Sequence, residues 1–115
     1  MTEKSKITQG LRYNEGKVRT DLLPFDVMWY ISEVLQAGAK KYADRNWELG
    51  MSWMIVVGCL MRHLIKFATG NDIDKETNIP HIDLVMFNAV MLSRFFRKHK
   101  QFDDRPMEHC ETIED

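Results

Sequence analysis

A chain of 115 residues, 44% apolar and 29% charged, has the size and composition of one globular domain with a single core. A formal net charge of −1 leaves no basic footprint, which argues against general nucleic-acid binding. The two cysteines, Cys59 in an apolar run and Cys110 in a polar one, suggest neither a bridge nor a zinc pair. Met1 to Lys6 lack a signal peptide's apolar stretch, and Trp53 to Met61 is too short an apolar run to span a bilayer. A reducing, cytoplasmic setting without a membrane partner is therefore expected.

Residues 1–11 are polar and read as a flexible N-terminus, followed by one domain over 12–99 and a polar C-terminal tail over 100–115. Asn14 and Gly16 mark a turn, and Lys17 and Arg19 follow it as two cations. They suit either a solvated loop or an arm that contacts phosphate. Pro24 and Asp26 favour the start of a first helix over 24–41. Its apolar residues, from Val27 and Met28 through Ile31, Val34 and Leu35, recur at helical spacing. Glu33 and Lys40 share the opposite face, two turns apart, where both could look into one cleft. Gly38 and Ala39 are small enough for another backbone to approach closely. Lys40 and Lys41 suit the negative helix end.

A loop follows, with Arg45, Asn46 and Trp47. The indole there either covers the core edge or stacks on a base, with Asn46 reading a base edge and Arg45 touching phosphate. Ser52 is a good N-cap for a second helix over 53–69. The first half of that helix is apolar on every side, so it needs cover on every side, more than a three-helix chain provides. A homo-oligomer through helix 53–69 is expected. Arg62 and Lys66 share a face further along, while His63 has Cys59, Leu60 and Phe67 as helical neighbours.

Gly70 ends the second helix, and Asp72, Asp74 and Glu76 then place acids at alternate positions. In an extended segment their oxygens share one side, as in a calcium loop, although Thr77 stands where an EF-hand needs Gly. The plainer reading has Thr77 or Asn78 capping a third helix whose positive end the acids favour. That helix spans 80–99, with a core stripe through Leu84, Val85, Met91, Leu92, Phe95 and Phe96. His81 and Asn88, seven residues apart, fall on the same stripe, whereas Asp83 falls on the opposite side. A polar group left unpaired in a core costs about 1–3 kcal/mol. His63, His81 and Asn88 must therefore pair with one another or line an internal site beside the acidic loop. The cations from Arg94 to Lys100 suit a helix end. The expected fold is all-α, a compact bundle of three main helices with an N-terminal arm.

Several segments together carry a resemblance. They are Tyr13 to Arg19 with Asp21 to Pro24, then Gly38 to Tyr42, Arg45-Asn46-Trp47, Arg62-His63-Leu64, Gly70 to Asp74 with Glu76-Thr77, Pro80-His81 and Asn88. Taken in order over residues 12–96, they resemble the bacteriophage domain family named for the N-terminal domain of phage dATP/dGTP diphosphohydrolase. The resemblance implies hydrolysis of a purine deoxynucleoside triphosphate to monophosphate and pyrophosphate, in a phage's host-cell cytoplasm, with Mg²⁺ or a similar ion such as Mn²⁺. On that basis Asp72, Asp74, Glu76 and His81, with His63, are expected to hold the ion. Arg62, Lys40, Lys41, Lys17 and Arg19 are expected to neutralise phosphate, and Trp47, Asn46, Arg45 and Asn88 to hold the nucleotide. Glu33 is a candidate base or ligand. A protein that binds and sequesters a nucleotide without hydrolysing it would need the same cations, aromatic ring and buried polar groups. A purely structural helical oligomer would explain the apolar helix but not Asn88 and the two histidines.

Overall fold

A computed structural model describes residues 8–106. These residues form three long helices, α1 (Phe25–Lys41), α2 (Trp53–Ala68) and α3 (His81–Lys98), with short 3₁₀ turns at Thr20–Leu22, Asn46–Leu49 and Lys100–Phe102. Among the described residues there is no strand, only an isolated antiparallel bridge between Ile73 and Pro80. The chain is an all-α bundle, and its helix ends lie within two residues of those the apolar periodicity gives.

Local chemistry sets those ends. Pro24 takes the N-cap position of α1 with φ −74°, and the Asp26 carboxylate accepts from the N–H of Val27 at 2.9 Å. Ser52 caps α2 by accepting from the N–H of Ile55 at 3.2 Å. A second cap comes from far along the chain. Asp104 bonds to the Ser52 hydroxyl and accepts from the N–H of Met54 at 2.9 Å. Residues 100–106 thus fold back on the start of α2, with the Arg105 guanidinium 4.9 Å from the Trp53 ring centroid. The third helix lacks the expected side-chain cap. Pro80 occupies its N-cap position, while the Thr77 hydroxyl is engaged by Asp74.

The core lies between α2 and α3, where Trp53 and Val56 pack with Met91 and Phe95, and Phe95 is wholly buried. Trp47 and Phe87 extend this cluster, their ring centroids 5.6 Å apart in an edge-to-face arrangement. Gly50 makes the turn into α2 with φ +85°; a Cβ there would meet the His99 ring at 2.8 Å and Phe102 at 2.9 Å. The imidazole of His99 is thereby fixed against the Glu48 carbonyl at 2.8 Å.

Helix α1 leans on α3 and scarcely touches α2. Beyond its own helix, nothing lies within 4 Å of the place a Cβ on Gly38 would take, so the close backbone approach that its size would permit does not occur. A cleft opens instead between α1 and the α2/α3 pair. Large apolar side chains also stay uncovered, among them Phe25 and Trp29 on α1 and Ile55, Met61 and Ile65 on α2. No helix of the described residues is long and apolar enough to cross a membrane.

Candidate functional site

The loop from α2 to α3 pairs with itself, and that pairing builds the site. The N–H of Asp74 donates to the Ile79 carbonyl at 2.9 Å, and the N–H of His81 to the Asp72 carbonyl at 2.8 Å, on either side of the Ile73–Pro80 bridge. Residues 72–74 therefore run back along 79–81, which brings Asp74 beside the first turn of α3. Asn78 turns the loop with φ +60°, a left-handed conformation that Asn tolerates better than most residues. Asp74 then takes Thr77 as its partner. Its Oδ2 accepts from the Thr77 hydroxyl at 2.7 Å and from the Thr77 N–H at 3.3 Å.

His63 on α2 meets His81 on α3 with their Nδ1 atoms 2.9 Å apart. A potential ligand atom from each of His63, Asp74 and His81 lies within 4.8 Å of the other two. His81 is 1% exposed, and its Nε2 has no hydrogen-bond partner. An unpaired buried nitrogen costs about 1–3 kcal/mol, so the fold tolerates this ring at the expense of stability. Burial is the main cause that holds the His63 imidazole below its ordinary pKa. Asp74 opposes it, and His81, Lys66 and Arg62 add to it, so the neutral, ligand-competent form is favoured. Partial burial would raise the Asp74 carboxyl, but the Thr77 hydrogen bonds and the nearby His63 outweigh it, and the net shift is downward.

His63 and Asp74 open onto the cleft, which has a volume of about 1130 Å³. That exceeds the roughly 300–1,000 Å³ of ordinary small-molecule sites. Arg62, Lys66 and Lys41 bring cations to its walls, and Asn88 contributes an amide from the core side. Asn88 is 5% exposed and donates to the Leu84 carbonyl one turn back at 2.7 Å. Lys41 at the end of α1 reaches Glu76 of the loop at 3.0 Å, an exposed ion pair that spans the cleft. Arg45, Asn46 and Trp47 also border it.

The expected residues thus divide. His63, His81 and Asp74 come together, with Arg62, Lys41, Glu76, Arg45, Asn46, Trp47 and Asn88 around the same space. The alternate acids do not share one side, because the loop is folded rather than extended. Asp72 is exposed and contributes its backbone carbonyl to His81, and Glu76 turns to Lys41. Neither belongs to the His63–Asp74–His81 group. Trp47 packs edge-on against Phe87 with Arg94 over its ring at 5.6 Å, so much of the indole is engaged within the fold. Arg45 pairs with Glu48 at 3.2 Å.

Lys17, Arg19, Lys40 and Glu33 do not line the cleft. Arg19 is exposed and forms a bidentate pair with Asp21, at 2.8 and 2.7 Å. Glu33 acts elsewhere. Burial raises the carboxyl of Asp83 above the usual range, and the charge of Glu33 raises it further. Two residues of the site were not evident as such in the sequence. Lys66 lines the cleft one turn beyond Arg62, which the i, i+4 spacing does indicate. Thr77 fixes the Asp74 carboxylate, and its local position resembles an ordinary cap.

Fold and site define an all-α domain in which one imidazole and a carboxylate, backed by a second, buried imidazole, line a cleft whose walls carry both cations and acids. The chain matches the family described as dATP/dGTP diphosphohydrolase, N-terminal, over residues 8–105, and it belongs to that family. It is 24% identical over 96 residues to a protein of Salmonella phage PMBT28 named dATP/dGTP diphosphohydrolase. That alignment covers 84% of this chain but 33% of the relative, so the chain spans about a third of the relative's length. No solved structure matches the chain.

Proposed function

We propose that this protein hydrolyses a purine deoxynucleoside triphosphate to the monophosphate and pyrophosphate, as a phage enzyme of nucleotide metabolism in the host cytoplasm. The observation that carries the reading is the placement of His63 and Asp74, with the buried His81 behind them, at a cleft with Arg62, Lys66 and Lys41 on its walls. A triphosphate needs charge neutralisation along its length, and two lysines and an arginine on the cleft walls supply it. The two imidazoles and the carboxylate are a donor set that fits a divalent ion. Such an ion would polarise phosphate oxygens and lower the pKa of a bound water. Among this chain's own residues, Asp74 and His81 would hold the ion with His63. Asn46 and Asn88 are amides on the cleft that would orient the base. The relative's name supports the substrate class.

The exposed apolar faces of α1 and α2 support a homo-oligomer within the same reading. Light scattering coupled to size-exclusion chromatography at micromolar concentration is expected to give a multiple of the chain mass, and a monomer would reject that part.

One observation favours a second reading, binding without hydrolysis. Asp74 is the one carboxylate in the ligand cluster, Glu33 and Asp72 lie off the cleft, and Glu48 and Glu76 on its walls are paired with cations, so few free carboxylates remain to serve as a general base. Incubation with a panel of deoxynucleoside triphosphates and cyclic nucleotides, with Mg²⁺ or Mn²⁺, separates the two. Turnover lost in Asp74→Ala and His81→Ala is the outcome expected of the enzyme. Tight binding with intact ligand recovered would support sequestration instead.

A further inference from the structure

We infer that His63, Asp74 and His81 form a binding site for a borderline transition-metal ion such as Zn²⁺ or Co²⁺, with a preference for these over Mg²⁺. The inference deepens the reading above by naming the cation class and its ligands, but it does not depend on hydrolysis.

The chemistry of the donors is the first argument. Mg²⁺ is a hard ion that takes oxygen ligands and keeps its waters, whereas imidazole suits Zn²⁺ and similar borderline ions. The cluster offers two imidazoles and one carboxylate, and the other acids of the loop are directed away from it. A carboxylate-rich magnesium site would have used Asp72 and Glu76 as well.

Geometry is the second argument. Two nitrogens bound to one ion at about 2.0–2.1 Å lie roughly 2.9–3.4 Å apart across the usual ligand angles. The Nδ1 atoms of His63 and His81 are 2.9 Å apart, at the short end of that range. A direct hydrogen bond explains the same distance only if one ring donates and the other accepts.

The support around the ligands is the third. Metal-binding carboxylates are commonly oriented by a hydrogen bond from behind. Both Thr77 bonds fall on Oδ2 of Asp74, so Oδ1 is not tied to Thr77. The His81 ring starts α3 with its backbone fixed to Asp72, so its position is set before any ligand arrives. Three protein ligands leave coordination positions for water or phosphate oxygens on the cleft side, which His63 and Asp74 line.

Untagged protein, stripped of metal by chelation, is titrated with Co²⁺, Zn²⁺, Mn²⁺ and Mg²⁺ by calorimetry, with the visible absorption of Co²⁺ followed in parallel. One Co²⁺ or Zn²⁺ per chain is expected, with Co²⁺ d–d bands. A tenfold excess of Mg²⁺ should leave those bands in place. His63→Gln and Asp74→Asn, each with the parent's helical circular dichroism, should weaken binding by about 100-fold or more. Absence of stoichiometric Co²⁺ and Zn²⁺ binding overturns the inference, as does undiminished binding in both variants or displacement of Co²⁺ by equimolar Mg²⁺. Metal binding without nucleotide turnover would keep this site and reject hydrolysis. Mg²⁺-dependent turnover that survives His63→Gln would do the reverse.

Discussion

Replacement of His81 by leucine separates a functional histidine from a structural one. The ring is 1% exposed, contacts His63 through Nδ1, and has an unpaired Nε2. A satisfied hydrogen bond contributes about 0.5–1.5 kcal/mol net, while an unpaired buried polar atom costs about 1–3 kcal/mol. Removing the imidazole therefore relieves roughly as much as it loses. Leucine also brings apolar surface into a position that is already dry, and His63, left alone, can hydrogen-bond to water in the cleft. The expected change in metal-free protein lies between about zero and 2 kcal/mol of added stability. At about 4–8 °C per kcal/mol for a domain of this size, Tm should hold or rise by up to about 15 °C. Urea and thermal unfolding measure this. Phe95→Ala, at the centre of the core, serves as the contrast and should lose about 3–5 kcal/mol. Should His81→Leu instead lose 2 kcal/mol or more, the histidine would be a core residue in its own right, and the argument that it is kept at the expense of stability would fail.

Other outcomes follow from the same geometry. Gly50→Ala should lose about 2–4 kcal/mol, since an alanine at φ +85° is strained and its Cβ meets the His99 and Phe102 rings; a Tm within 3 °C of the parent would contradict this. His63 has a folded pKa below its ordinary 6.5, so its contribution to stability is present above that value and disappears as pH falls through the folded pKa. The urea midpoint should accordingly drop between pH 7.5 and pH 5.5, and by less in His63→Gln. Lys41→Ala removes an exposed ion pair, which leaves stability essentially that of the parent. The same change removes a cation from the cleft, so nucleotide affinity should fall several-fold; unchanged affinity would place the phosphates elsewhere.

The helices were legible because apolar periodicity over 16 to 18 residues is a strong signal, and the spacing of His81 and Asn88 placed both in the core correctly. The inward turn of His63 was less distinct, since it follows from packing α2 on α3. The choice among Asp72, Asp74 and Glu76 could not be read from alternation. It depends on the backbone pairing of 72–74 with 79–81, a register set by hydrogen bonds between residues up to nine positions apart. Trp47 illustrates how tertiary context decides between two uses of one residue, because Phe87 and Phe95 are available to pack against it. Arg19 shows the opposite case, where a neighbour two residues away satisfies a cation that sequence alone leaves open. The cap that Asp104 gives to α2 joins positions 50 residues apart, beyond the reach of any local motif.

Direct measurement of product from a purine deoxynucleoside triphosphate tests the central claim. The protein, supplied with Mg²⁺ or Mn²⁺ and then with Co²⁺ or Zn²⁺, is incubated with dATP and dGTP, and products are resolved by anion-exchange chromatography. Stoichiometric deoxynucleoside monophosphate and pyrophosphate, formed by the parent and abolished in Asp74→Ala, is the predicted result. Recovery of intact triphosphate under every metal, with the protein folded and the nucleotide bound, would contradict it.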